Sequence, residues 1–326
     1  LRATVTACGL GARSSLARVN DVAASLTTLA VAWGVDLPPR RVATAARLIA
    51  ARQHPTYAML HTWLVEAMPP NTLARLGAHA QAIVRARLER IALRGRSNFD
   101  LIQEISEPLW PDVLAAWMGL ADQQRRRLHH SSRALGVLSD LGELSPRRLA
   151  GVVSALDELR RMFTDTYRYP RYTHAIPNLF AALETGWAPA LGPIEDEAVF
   201  AAMQLLLVGS EASVSFIAPL IETLLQRPKL IAALRMEPAS IVTFVEEKQA
   251  HFARGSGMRH GMPSNATAFE FAWRLLAKTQ AAAVIEALLC GPIEIEADKQ
   301  RKCCQIRGDG TRRLDHLGLR LRAQSS

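Results

Sequence analysis

The chain has 326 residues, a formal net charge of +9 at pH 7, and 49% hydrophobic residues. This length can bury a large core, either in one helical domain or in about two domains. The apolar runs look too short and too interrupted for a membrane span, and the first residues lack the charged-then-apolar pattern of a signal peptide. We therefore expect a cytoplasmic protein that does not enter a membrane.

The positive charge bears on the kind of partner. Arginines are scattered among acidic residues, and no basic helix carries interleaved aromatic residues, so nucleic acid is not an expected partner. The charge fits an acidic protein partner or an arginine-rich proteome equally well.

The cysteines do not form a recognisable framework. Their spacing fits neither a set of disulfides nor a zinc site, so we expect free thiols. They are Cys8, Cys290, Cys303 and Cys304.

The first half of the chain has the pattern of several helices. One is predicted after Pro39 through Ile49, and a longer one over Thr72–Arg94, where apolar residues form a stripe on one face. Gly95 follows at the position of a left-handed cap. Ser145 is predicted to cap a further helix, with a proline at the first helical position.

The longest apolar helix pattern runs over Asp196–Pro228, with apolar residues at three- and four-residue steps. Gly209 and Glu211 interrupt its middle, where a core helix would carry more leucine. Glycine lowers helix propensity, and a buried carboxylate costs desolvation energy. Such an interruption indicates a functional site.

The last part of the chain changes character. Two short helices are predicted at Leu230–Leu234 and Pro238–Glu247, and a further helix ends at Leu289. Pro292–Glu296 and Leu317–Arg322 alternate with period two and flank a glycine-rich turn. They are predicted to be two strands of a small terminal sheet.

Several of these segments, in this order, resemble one family. Leu205–Ser213, followed by Leu224–Leu230, is similar to the central helix of the bacterial cytochromes P450, the heme-thiolate monooxygenases. That family's pattern is Ala/Gly-Gly-x-Asp/Glu-Thr with a Leu-Leu-x-x-Pro exit. Phe99–Leu120 resembles the family's Phe-Asp-Leu-Val, proline, apolar helix and Leu-Gly-Leu. Leu16–Leu26 resembles its early strand-to-helix junction.

The resemblance implies a fold class and a domain arrangement. The fold would be mainly α, a cytochrome P450-like helical fold with a small terminal β-sheet, and the heme-binding meander would be largely missing. Residues 1–14 would form an irregular N-terminus. Residues 15–326 would form a single P450-like domain with an internal deletion near residues 250–270.

The family activates oxygen with an acid and the alcohol that follows it in the central helix. By resemblance, Gly209 would leave room for oxygen and Glu211 would be the acid. Ala212 stands where the family has threonine, and Ser213 lies one residue later, about a hundred degrees further round an ideal helix. Ser213 would serve in the proton route only where the helix is locally unwound. In the alternative interpretation, Glu211 is solvated or paired with an arginine.

The resemblance also places residues near the heme propionates. Tyr57 and His61 occupy the histidine and arginine positions of the family's propionate helix. Arg259 stands where the family keeps a basic residue for a propionate, and His260 could in principle ligate iron. An imidazole lacks the electron push of a thiolate, however. The alternative is that His61 is an ordinary helix residue and His260 an ordinary loop residue.

Two registers locate the heme-ligating cysteine of the family. Aligning the glycines before it puts Gly261 at that position, and aligning Leu-Ala-Lys at 276–278 puts Phe271 there. We prefer the first register, because it also brings Arg259 to a propionate position. The family's Glu-x-x-Arg pair is incomplete as well, since Ala250 replaces the arginine that would follow Glu247.

These departures leave three hypotheses about function. The resemblance implies O2-dependent monooxygenation of a small organic substrate at heme iron, with an acidic ferredoxin- or flavodoxin-type redox partner. Because the thiolate is missing from both registers, we expect a degenerate active site and impaired catalysis. The alternatives are a heme-free P450-fold accessory or binding subunit of another enzyme, and a decayed product that does not reach a stable state.

Overall fold

A computed structural model describes residues 15–51, 58–95, 98–139, 145–171, 178–185, 194–255, 267–291, 293–306 and 312–323. The structural statements that follow concern these residues.

The described part of the chain is mainly helical. The α-helices are α1 (Ser15–Ala32), α2 (Pro39–Ala51), α3 (Ala58–Glu66), α4 (Pro70–Leu93), α5 (Glu107–Met118), α6 (Asp122–Gly136), α7 (Pro146–Arg168), α8 (Leu179–Thr185), α9 (Ile194–Ala212), α10 (Ala218–Leu225), α11 (Pro228–Met236), α12 (Ser240–Gly255) and α13 (Thr267–Leu289). Two π-turns (Ile102–Ser106 and Ser213–Ile217), one 3₁₀ turn (Val137–Ser139) and the strands β1 (Asn98–Asp100), β2 (Ile293–Ile306) and β3 (Arg312–Ala323) complete the described elements.

Helix α4 confirms the helix predicted over Thr72–Arg94. Its inward face repeats every three or four residues and is buried. Gly95, just past its end, has a φ of 65°, which is the left-handed conformation predicted for the cap. The predicted cap of α7 is also confirmed, because the Ser145 hydroxyl accepts a hydrogen bond from the backbone N–H of Arg148 at 3.3 Å. The buried face of α4 consists of Leu76, Ala80, Val84, Leu88 and Ile91.

The structure corrects the prediction at the start of the described chain. Leu16–Leu26 resembles a strand-to-helix junction, but Ser15–Ala32 is a single helix. Leu26 and Ala30 are buried one turn apart, and this four-residue spacing places them on the same helix face.

Helix α12 is longer than the predicted Pro238–Glu247. The apolar pattern weakens after Val245, yet the helix continues to Gly255. Gln249 supplies a reason, because its buried side chain donates a hydrogen bond to the Arg274 carbonyl of α13 at 2.9 Å. A polar residue can therefore extend a packed helix face when its partner is present in the neighbouring helix.

The core is a bundle around α9 and α13. Helix α13 packs along α4, and α9 packs against α5, α7 and α13. Side chains from these helices belong to one continuous apolar cluster. Its largest fully buried members include Trp110, Trp117, Phe163 and Phe216.

The predicted helix over Asp196–Pro228 is confirmed as one rod with a local widening. Helix α9 runs directly into the π-turn Ser213–Ile217, and α10 continues to Leu225. By length and composition Ile194–Leu225 could cross a membrane, contrary to the expectation that no apolar run is long enough. In its most apolar window 72% of the residues are buried inside the protein, which is the environment of a core helix.

The sheet contains one strand more than the sequence predicts. β2 and β3 pair antiparallel, as predicted for the terminal segment, and β1 pairs antiparallel on the other side of β3. The order is β1-β3-β2, with Phe99 opposite Leu319. β1 has three residues, too few to show a period-two pattern in the sequence. The glycine-rich turn predicted between the two long strands lies outside the described residues.

Three acidic residues begin α9, and each is paired with an arginine of a neighbouring helix. Arg168 of α7 donates two hydrogen bonds to Glu195, and Arg160 of α7 lies 3.3 Å from Asp196. Arg47 of α2 pairs with Glu197. Acids suit a helix N-terminus, and exposed pairs contribute little stability individually. Their effect is to orient the start of α9 against α2 and α7.

A buried carboxylate fixes α5 to both of its neighbours. Arg87 of α4 donates to Asp112 at 2.5 Å, and Nε2 of His129 in α6 lies 2.8 Å from the other carboxylate oxygen. Burial alone would raise the pKa of Asp112. The hydrogen bonds from His129 and Arg87 outweigh burial and hold that pKa below its usual value of 3.8.

We predict that Asp112→Asn lowers the free energy of unfolding by about 3 kcal/mol at pH 7, because Arg87 keeps its charge and loses its buried partner. The stabilisation by Asp112 is complete above pH 3.8 and is lost as the pH falls through the lower pKa of the folded state. Urea denaturation of both proteins between pH 7 and pH 3 measures this, and the gap between them should close at acid pH. Asp122→Asn is the control, since that side chain is 87% exposed. An undiminished gap at pH 3 would contradict the assignment.

Candidate functional site

The interruption predicted in the central helix lies where α9 is closest to α5. The indole of Trp110 covers Gly209 so closely that a Cβ at Gly209 would overlap the ring. The same indole donates a hydrogen bond from Nε1 to the Leu205 carbonyl at 2.7 Å. Glycine is therefore required at position 209 for a packing reason, since any side chain would displace Trp110.

Two serines beside Gly209 face other helices. Ser210 is 3.0 Å from Ser132 of α6, hydroxyl to hydroxyl. Ser213 is fully buried, and its hydroxyl donates to Oε1 of Gln280 in α13. The amide of Gln280 donates in turn to the Gly209 carbonyl at 3.2 Å. The polar groups of this stretch thus join α9 to α6 and α13.

The helix widens at Ser213, and a local unwinding is the condition under which Ser213 could serve in the proton route. The π-turn begins at Ser213, four residues after the carbonyl that accepts from Gln280. Single π-turns within α-helices often mark functional sites. The local unwinding is present, and within the described contacts the Ser213 hydroxyl is directed to Gln280. The role in the proton route stays a prediction.

Glu211 and Ala212 occupy different surroundings although they are adjacent. Ala212, at the position of the family's threonine, is fully buried. Glu211 is partly buried, and its backbone carbonyl accepts a hydrogen bond from the Ser215 hydroxyl at 2.6 Å. The roles that the resemblance gives to Gly209 and Glu211 also stay predictions.

Most of the residues predicted to bind a cofactor cannot be joined to this cluster. Arg259, His260 and Gly261 lie outside the described residues. His61 lies on α3 and Phe271 on α13, but the described contacts do not include their side chains. The structure therefore brings together Gly209, Glu211 and Ser213, which are neighbours in sequence, and leaves the positions of the others as predictions.

Glu247, the acid of the incomplete Glu-x-x-Arg pair, and its neighbour Glu246 are surface residues. Both are exposed on α12, and Glu246 lies 2.9 Å from Lys278 of α13. This contact links the two helices at the surface.

Cys290 is the cysteine whose side chain lies in the described part of the chain. It is exposed and follows the last residue of α13, about 35 Å along that helix from its start. Partial desolvation and then the charge of Glu286 raise the pKa of its thiol, which disfavours the thiolate. Among the described residues, no group of three histidine, cysteine or acidic side chains could hold a metal ion.

Sequence reasoning missed the partners of the central helix. Trp110 and Gln280 decide what Gly209 and Ser213 contact, yet neither was proposed as a site residue. A signal was available in each case. A large aromatic residue in an apolar helix needs a small residue opposite, and a lone glutamine in the apolar run of α13 needs a polar partner.

We predict that Gly209→Ala lowers the free energy of unfolding by about 2 kcal/mol, because the added methyl group displaces the Trp110 indole. Gly151→Ala in α7 is the matched control, since a Cβ there meets no atom within 4 Å. It should leave stability unchanged or raise it slightly. Urea denaturation measures both. The cost of Gly209→Ala should fall when Trp110 is alanine, and equal costs in the two backgrounds would contradict this contact.

Ser213→Ala should cost about 1–3 kcal/mol, because Oε1 of Gln280 is then buried without a donor. Ser215→Ala is the comparison, since the Ser215 hydroxyl bonds within its own helix and is only partly buried. Combining Ser213→Ala with Gln280→Leu should recover part of the loss, because both buried polar groups are removed. Denaturant midpoints of the unchanged protein, the single variants Ser213→Ala, Gln280→Leu and Ser215→Ala, and the double variant test this. A double variant whose loss equals the sum of the two single losses would show that the side chains are independent.

Sequence comparisons show which known proteins this chain is similar to. No protein-family model matches the chain. Cytochrome P450 107B1 of Saccharopolyspora erythraea is 27% identical over 193 residues, which make up 59% of this chain and 45% of that relative. The chain therefore matches less than half the length of the curated relative.

Solved structures extend the likeness over most of the chain. Cytochrome P450 CYP109Q5 from Chondromyces apiculatus has a TM-score of 0.65 at 18% identity, and the match covers 85% of this chain and 80% of that one. P450BioI, solved in complex with an acyl carrier protein ligated with hexadec-9Z-enoic acid, has a TM-score of 0.62 at 16% identity. That match covers 86% of this chain and 83% of P450BioI. The chain therefore adopts the cytochrome P450 fold, and part of its sequence is distantly similar to that of a bacterial cytochrome P450.

Proposed function

We propose that this chain is a heme-free protein of the P450 fold that acts as a binding or accessory subunit of another enzyme and does not itself catalyse monooxygenation. One observation carries the proposal. No cysteine occurs between Cys8 and Cys290, so no nearby thiol can take the place of the cysteine expected at Gly261 or Phe271. A thiolate on the iron is what gives bound heme the electron push for cleaving the O–O bond.

The packing of the central helix supports the same proposal. In the family that the chain resembles, the small residue and the alcohol of this helix serve oxygen. Here Gly209 lies against Trp110 and Ser213 bonds to Gln280, so both have partners within the polypeptide. Buried polar groups that are satisfied by the chain do not require a bound group to complete them.

Cys290 does not supply the missing ligand in this proposal. Cys290 follows the last residue of α13, whereas Gly261 precedes this helix in the sequence and Phe271 lies near its start, and the raised pKa of the Cys290 thiol disfavours the thiolate form. Histidine remains as a candidate iron ligand at His260, but imidazole lacks the electron push of a thiolate.

Heme-dependent monooxygenation of a small organic substrate is the second candidate. The π-turn at Ser213–Ile217 favours it, because that widening is the condition under which Ser213 would enter a proton route. An acidic ferredoxin- or flavodoxin-type redox partner would then fit the net charge of +9. The structure of P450BioI with an acyl carrier protein gives a precedent, for that protein, of a P450 fold docking a protein that carries the substrate.

The absorption spectrum of the purified chain separates the two candidates. We expect no thiolate-type band after reduction and addition of carbon monoxide, even when the cells are supplied with a heme precursor. Phe271→Cys and Gly261→Cys, expressed in the same way, test which register would position a sulfur. A thiolate-type spectrum from the unchanged chain would overturn the proposal.

Stability and activity measurements distinguish an accessory subunit from a decayed product. An accessory subunit should unfold cooperatively as a colourless protein, whereas a decayed product should show no cooperative transition. The defining result is an enzyme whose turnover depends on adding the purified chain. Thermally unfolded chain serves as the control in that assay, because a specific effect requires the folded protein.

A further inference from the structure

A polar seam between α4, α5 and α6 has an excess of hydrogen-bond donors over acceptors. We define the α4–α6 seam by five residues, which are His79 and Arg87 from α4, Asp112 from α5, and Arg125 and His129 from α6. Arg125 and His129 are four residues apart, so they share one face of α6. The five residues include a single carboxylate, and its two oxygens already face Arg87 and His129.

Two donors of the seam have no acceptor among the described residues. They are Nε of Arg87 and Nε of Arg125, and both atoms are shielded from solvent. A buried guanidinium N–H without an acceptor costs stability, and native proteins usually supply one from the chain, a water or an ion. The terminal nitrogens of Arg87 are already engaged, one with the Glu104 carbonyl at 3.0 Å and one with Asp112.

The charge of Arg125 is poorly compensated. Its nearest described carboxylate is Asp122, at 3.9 Å and 87% exposed, so this pair contributes little. Arg125 also acts on His79 across the seam. Burial and then the charge of Arg125 lower the pKa of His79, while Asp112 opposes that change. The two groups therefore lie within electrostatic range of each other.

We propose that the α4–α6 seam binds a phosphate-like oxyanion, which accepts hydrogen bonds from Arg125 and neighbouring donors of the seam. Arginine suits such a ligand because its planar fork matches the oxygens of a phosphate group. The side chain of Arg125 is 42% exposed, which gives the anion a route from solvent, while the side chains of Arg87 and Asp112 are 18% and 11% exposed. The site is separate from the Gly209 cluster and does not depend on the proposed function.

Inorganic phosphate is the probe. Added to the purified full chain, it should raise the thermal midpoint by about 2 °C or more, saturably, compared with sodium chloride at the same ionic strength. Arg125→Gln should weaken phosphate binding by about tenfold or more. Arg126→Gln is the matched control, because Arg126 is the exposed neighbour and the charge change is identical. Its affinity for phosphate should change less than twofold.

A second measurement does not depend on the stability of a variant. In the unchanged protein, NMR of ¹³C-labelled histidines, with the His79 signal assigned through His79→Gln, follows the pKa of His79. Bound phosphate should raise that pKa, because it adds a negative charge that opposes Arg125. Glycerol 3-phosphate distinguishes the source of the ligand. Equal affinity assigns the site to the phosphate group alone, and tighter binding assigns it to an organic phosphate.

Two outcomes would overturn the proposal. One is a thermal midpoint that responds equally to phosphate and chloride, together with an unmoved His79 pKa, which would mean that water satisfies the two arginines. The other is an equal loss of phosphate affinity in Arg125→Gln and Arg126→Gln, which would reduce the effect to net charge.

Discussion

The contact between Trp110 and the backbone at Gly209 sets the spacing of the helical core. Because Gly209 has no Cβ, the indole reaches the helix backbone and bonds to the Leu205 carbonyl. Any other residue at position 209 would carry a side chain that keeps α5 further from α9, so glycine allows the two helices to lie closer together. On its other side α5 is bonded through Asp112 to α4 and α6. Helix α5 thus connects α9 to α4 and α6, so a displacement at Gly209 would also displace these two helices.

Packing contacts also account for Gly209 and for the two serines near it. In the sequence alone, Gly209 and Glu211 interrupt an apolar helix and indicate a functional site. In the folded chain Gly209 meets Trp110, Ser210 meets Ser132, and Ser213 meets Gln280. These contacts reach α5, α6 and α13, so one stretch of about one helical turn orders three helices. Buried hydrogen bonds of this kind add specificity of packing, because an alternative register would leave them unpaired.

Local sequence patterns were sufficient to predict most of the helices. They contain no information about which distant residues pair with each other. The stripe of α4, its left-handed Gly95 and the Ser145 cap depend on residues within a few positions of each other. β1 could not be foreseen, since its three residues become a strand only by pairing with β3 more than two hundred residues later. The same limit applied at the candidate site. Gly209, Glu211 and Ser213 could be singled out from their own helix, whereas Trp110 and Gln280 are distant in sequence and acquire their importance from the fold.

The described contacts of the core do not depend on the chemistry of the family that the chain resembles. The contacts that join α4, α5, α9 and α13 are made by apolar side chains and by polar groups whose partners belong to the polypeptide. None of these contacts uses a cysteine, and the sequence has no cysteine between Cys8 and Cys290. Within the described residues these contacts form without a bound group, so they do not by themselves require heme. A fold does not by itself determine a function, and the same contacts are compatible with either proposed function.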